Sequence, residues 1–148
     1  MIDTGSYFDD FVQNVKQIFI DNKSALGLRA VYGTDISLIP IYPCVCVDFG
    51  PWTEERKELG GNRIELAMTV EITYYHEELN QTTRKEAIDK ALHNIAELLR
   101  KNISVGGYCR QSSITSGEAG PIPRKTAVIA GGIIIFNGIK DIRVTDVT

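Results

Sequence analysis

The sequence predicts an α+β fold: one β-sheet, mainly antiparallel or mixed, with two α-helices packed on one face. Two segments carry apolar residues at helical spacing, and several others alternate with the period of a strand. The clearest strand is RIELAMTVEITYY at 63–75. Two helices with a single apolar stripe each cannot cover both sides of a sheet of long strands, so the uncovered face becomes a candidate for subunit contact.

A chain of 148 residues with 43% hydrophobic content suits one domain, 1–148, with one core. The net charge of −3 gives no global basic field for a phosphate backbone. The longest unbroken apolar run, at 133–136, is far too short for a bilayer. The opening MIDTGSYFDD carries acids where a secretory signal has a basic region, which predicts a soluble protein made in a cytoplasm.

Each element follows from its own pattern. Phe8, Phe11, Val12, Val15, Ile18 and Phe19 form an amphipathic stripe, with Thr4 or Ser6 as N-cap and Asp9 and Asp10 at the positive end of the helix dipole. This helix ends near DNKSALG. LRAVYG and CVCVDF read as short strands, and Pro40, Pro43 and Pro51 keep the region out of any helix.

WTEERKELGGNRIELAMTVEITYY reads as a long projecting hairpin turning at Gly60-Gly61. Its first arm is too polar for a central strand and faces solvent or a partner. Thr83 and Glu86 form a capping box ahead of the stripe Ala87, Ile88, Ala91, Leu92, Ile95, Leu98, Leu99, which predicts a helix over 83–101 ending in the basic pair Arg100 and Lys101.

A short strand at 109–114 and a Gly/Ser/Pro-rich loop at 117–123 follow. The last segment, TAVIAGGIIIFNGIKDIRV, is apolar on both parities. It is therefore a strand buried on both faces, central in the sheet or covered by another subunit, with Gly131-Gly132 marking a bulge or a close backbone approach.

No constellation for chemistry stands out, so no catalytic, cofactor-binding or metal-binding residue is assigned. Cys44 and Cys46 lie in an apolar strand, where thiols stay protonated, and with Cys109 they are expected reduced and buried. His76 with Glu77 and Glu78 is the most tempting cluster, but three consecutive residues point in different directions. Glycine pairs at 60–61, 106–107 and 131–132 lack the context of a phosphate cradle. Around the hairpin, Arg56, Lys57 and Arg63 are interleaved with Glu54, Glu55, Glu58 and Glu65, a mixture suited to protein-protein registry.

Taken together, the N-terminal helix, IPIYPCVCVDF, the charged hairpin into NRIELAMTVEITYYHEE, the capped helix ending in LLRKN, ISVGGYCRQSSITSGEAG and the closing apolar strand resemble the tail terminator, or tail-completion, proteins of long-tailed bacteriophages. The resemblance covers nearly the whole chain and rests on element order and on L-x-x-N-x-S-V-G-G at 99–107.

It implies a non-enzymatic virion protein, made in the host cytoplasm. Such a subunit forms a ring, usually a hexamer, at the head-proximal end of the tail tube, ends tube polymerisation and offers the head-tail joining surface. The implied partners are further copies of the chain, the tail tube protein, a head-completion or neck protein, and the sheath protein if the tail is contractile. DNA passes only as cargo, and no membrane or cofactor is involved. Candidate subunit or tube contacts are Trp52, Glu54, Arg56, Arg63, Glu65 and Glu71. Two alternatives stand beside this reading: a head-completion or neck connector, and a small enzyme or ligand-binding domain using Tyr74, Tyr75, His76 and Glu77.

Overall fold

A computed structural model describes residues 5–33, 41–57, 62–76, 81–123 and 128–143. The elements are α1 (Tyr7–Asp21), β1 (Ala30–Tyr32), β2 (Cys44–Arg56), β3 (Arg63–Tyr75), α2 (Gln81–Lys101), β4 (Gln111–Pro123) and β5 (Val128–Arg143). The five strands form one mixed sheet in the order β1-β2-β3-β5-β4; β1 pairs parallel with β2, and every other pairing is antiparallel.

α1 forms where its stripe and cap predict. Ser6 is the N-cap, its hydroxyl accepting from the Asp9 amide, and Asp9 and Asp10 occupy the first turn. Phe11, Val15 and Phe19 are fully buried. α2 begins at Gln81, two residues before the expected start, so Thr83 lies inside its first turn. Its stripe holds: Ile88, Ile95 and Leu99 are buried, with Ala91, Leu92 and Leu98 packed beside them.

Both helices cover the same sheet face. Their buried side chains share one cluster with Val45 and Val47 of β2, the even-numbered residues 66–74 of β3, and Ile134 and Phe136 of β5. Fully burying an aliphatic or aromatic side chain of this size contributes about 1.5–3 kcal/mol, so this face holds the fold together. Two glycines of β5 set how closely the helices approach. A Cβ at Gly138 would lie 2.5 Å from Phe11 Cε1 of α1, and one at Gly132 would lie 2.5 Å from Leu92 Cδ1 of α2. The close approach expected at Gly131-Gly132 is thus present. The register runs through the pair without a shift, so no bulge forms there.

Two segments differ from their sequence reading. CVCVDF and WTEER are one continuous strand of 13 residues. Phe49 lies opposite Val70 and Trp52 opposite Met68, so Gly50-Pro51 holds a bulge of one extra residue. Proline is tolerated there because, among the described residues, β1 flanks β2 only at Cys44, Cys46 and the residue between them. The polar arm 52–56 becomes a strand because β3 gives it a full ladder, from Trp52↔Met68 to Arg56↔Ile64. The Gly60-Gly61 turn lies outside the described residues.

The loop expected at 117–123 is the second half of β4, paired with β5 as far as Pro123↔Val128. Glycine, serine and proline weaken a strand in isolation, but β5 extends for 16 residues and provides partners throughout. A second bulge, at Thr115, separates Ile114 from Ser116.

β5 is central, between β3 and β4, as its two-sided pattern predicts. Its helix-side Ile134 and Phe136 are buried, whereas Ile133 and Ile135 on the opposite face are half-buried. After α2, the 103–108 turn carries positive φ at Val105, Gly106 and Gly107, which explains the paired glycines there.

Candidate functional site

The face turned away from the helices is the one candidate surface built by all the long strands. On β3 it presents Arg63, Glu65, Ala67, Thr69, Glu71 and Thr73, the partners of the core-facing set. At one end Cys44, Cys46 and Tyr75 are fully buried under Ala30, Tyr32, Tyr42 and Ile133, and all three cysteines of the chain are buried and outside any disulfide.

At the other end charges from β2, β3, β5 and the entry to β4 join in one network. The Arg110 guanidinium donates to Glu65 Oε2 at 2.6 Å and reaches Asp141 Oδ2 at 2.9 Å. Arg63 lies 3.6 Å from Asp141, and Lys57 lies 3.2 Å from Glu55 and 3.6 Å from Glu65. The hydrogen bond to Glu55, with both carboxylates nearby, holds the Lys57 ammonium above its ordinary range. Partly exposed pairs of this kind add little to stability, because water screens them. Their main effect is to fix where fixed charges stand on the face.

Glu71 is exposed nearer the middle of the same face, beside a shallow depression of about 240 Å³ floored by Ile133 and Ile135 and rimmed by Ser116 and Glu118. The six residues singled out by sequence therefore separate. Arg63, Glu65 and Glu71 share the open face. Trp52, Glu54 and Arg56 stand on the helix-side face, opposite Met68, Leu66 and Ile64. The Gly50-Pro51 bulge keeps them there, and the Trp52 ring rests on Phe8 with centroids 4.8 Å apart.

Sequence reasoning missed Arg110 and Asp141, which complete the network. They reach Glu65 through strand pairing across tens of residues, and no local pattern marks them.

The sites considered for chemistry are placed as follows. The Cys44 thiol is raised by its hydrogen bond to Cys46 and by burial, and burial pushes Cys109 up to about 12 against the pull of Lys140. Both stay protonated near neutrality and are poor nucleophiles. Tyr74 Oη is hydrogen-bonded to His76 Nδ1 at 2.7 Å, and burial pushes the phenol up to about 12. Glu77 and Glu78 lie outside the described residues. Among the described residues no group of three or more His, Cys, Asp or Glu side chains is placed to hold a metal ion, and no helix is long and apolar enough to cross a membrane.

Two further features lie at the margins of the sheet. Among the described residues nothing pairs with the outer edge of β4, and on the outer side of β2 only β1 pairs, leaving 47–56 open. Beside β4, on the helix side, a groove of about 410 Å³ is lined by Leu99, Ile103, Ile114 and Phe136, with Arg100 at its rim. Ile103 is 56% exposed and Trp52, at the opposite margin, 44%. Compared with known proteins, the chain matches no protein-family model and no curated protein.

Proposed function

We propose that this chain is the subunit of a closed ring, a hexamer at the head-proximal end of a phage tail tube, where it ends tube polymerisation and offers the surface that joins tail to head. The observation that carries this reading is that, among the described residues, β4 and the 47–56 stretch of β2 present unpaired edges on opposite sides of one sheet whose two helices lie on one face. Strands β2, β3, β5 and β4 alternate in direction, so a rotated copy that lays its β2 beside β4 makes another antiparallel pair. Unpaired edges are aggregation hazards unless they are covered, and a head-to-tail contact that closes on itself removes them.

In such a ring the helices face outward and the open sheet face lines the lumen. Arg63, Glu65, Lys57, Arg110, Asp141 and Glu71 then keep that lumen hydrophilic for passing DNA, with both signs of charge interspersed so that a phosphate backbone is not held. The rims of the ring meet the tail tube protein on one side and a head-completion or neck protein on the other, with the sheath as a further neighbour in a contractile tail. The role is structural, and no residue is assigned to catalysis.

The test is to add the purified chain to tail tube protein as it polymerises and to image the product. Shorter tubes capped at one end by a ring are expected. Tubes of unchanged length with bare ends would remove the terminator reading.

A further inference from the structure

We infer that the groove between α2 and β4 is the socket for Trp52 of the neighbouring copy. This rests on the ring reading above and gives it a specific contact. Ser112, Gly138, Met68 and Trp52 form one row across β4, β5, β3 and β2, and the next row is Ile114, Phe136, Val70 and Phe49. When the sheet continues into a second copy without stagger, the incoming Trp52 stands beside Ser112, at the mouth of the groove lined by Leu99, Ile103, Ile114 and Phe136. A stagger of two residues keeps Trp52 on the same face, because side chains alternate with period two.

The two surfaces complement one another. Trp52 is the large apolar side chain on the β2 margin and is nearly half exposed, while Ile103 is the most exposed large apolar residue of the groove. A half-exposed tryptophan entering an apolar pocket is the usual anchor of a protein interface. Glu54, two residues on and on the same face, falls in the row of Leu66 and Lys140, so the incoming carboxylate stands level with the Lys140 ammonium. A knob on one edge and a socket on the other make a head-to-tail contact, which can close a ring but cannot satisfy a two-fold dimer with one copy of each. Within one chain the socket cannot be filled by its own Trp52, because β2 and β4 lie three strand spacings apart, roughly 14 Å.

The experiment uses the full chain with Trp52→Cys and Ile103→Cys together, treated with a short bismaleimide, and each single variant as control. The native cysteines are buried and do not compete. Expected is a ladder of covalent multimers from the double variant alone. Separately, Ile103→Asp, at a position exposed enough to leave folding unaffected, raises the concentration for half-assembly at least tenfold with an unchanged circular dichroism spectrum. If the parent chain forms a ring by light scattering but the ladder is missing, or Ile103→Asp assembles like the parent, the socket is overturned and the ring reading stands. If the parent chain is a monomer at every concentration, with and without added tail tubes, both are overturned.

Discussion

Gly138→Ala tests how α1 is seated. The added Cβ would stand 2.5 Å from Phe11 Cε1, 2.6 Å from Phe11 Cζ and 2.8 Å from Cys109 Sγ, about 1 Å inside ordinary carbon contact. Phe11 has no exposed surface and lies stacked near Phe136, with centroids 6.3 Å apart, so its ring has nowhere to turn. Overpacking of this kind costs about 1–3 kcal/mol. Restricting the unfolded chain returns about 0.4–1 kcal/mol, because φ at Gly138 is not positive and alanine adopts the same backbone.

The net loss is about 1–2 kcal/mol, a fall in Tm of roughly 3–8 °C for a domain of this size. Thermal unfolding by circular dichroism, with parent and variant at equal concentration, reads it. Phe11→Leu makes room for the new methyl, so the double variant should be more stable than the two single losses add up to. Gly132→Ala meets the methyl ends of the half-buried Leu92 at 2.5 and 2.8 Å and the Glu118 carbonyl at 3.0 Å, and loses less because a leucine end turns aside more readily than a fully packed phenylalanine ring. An unchanged or raised Tm in Gly138→Ala, or strict additivity with Phe11→Leu, would show that α1 is not seated on this glycine.

Three other outcomes are expected. Val70→Asp places an unpaired carboxylate at a fully buried site between Phe49 and Phe136, costs more than about 4 kcal/mol and leaves no folded subunit by circular dichroism; a folded variant would contradict the core assignment. Glu71→Lys, exposed and away from both sheet edges, keeps stability within about 0.5 kcal/mol and the parent's mass in sedimentation; a lost ring would move the subunit contact from the edges to the open face.

Raising pH destabilises the chain in part through Cys109, ordinarily ionising near 9.0 and pushed up to about 12 by burial. The unfolded thiol loses its proton first, so this contribution is intact below pH 9 and is lost as pH climbs toward 12. Between pH 8 and pH 10 in reducing buffer, the parent's urea stability should fall by ~1.4 kcal/mol more than that of Cys109→Ala, and equal falls would sink the assignment.

Much of the fold is legible because its signals are local. The stripe from Phe11 to Phe19, the Ser6 cap, the alternation from Ile64 to Tyr74 and the two-sided apolarity around Ile134 each report a face that meets the core. What local patterns miss depends on a partner strand. Residues 117–123 have loop composition and become a strand only because β5 is long enough to pair with them. The polar arm Trp52 to Arg56 is fixed by β3 in the same way, and the bulge at Gly50-Pro51 decides its side. That bulge is why Trp52, Glu54 and Arg56 do not share a face with Arg63, Glu65 and Glu71. The charge network was only half visible for a related reason: Glu65 sits in a clear pattern, but Arg110 and Asp141 meet it through pairings that no sequence window contains.

The ring itself is tested most directly by solution mass, measured by multi-angle light scattering over a range of protein and salt concentrations. The account predicts a species of about 98 kDa, six times the 16.4 kDa chain, that persists on dilution into the micromolar range. A monomer at every concentration, with and without added tail tubes, would contradict it.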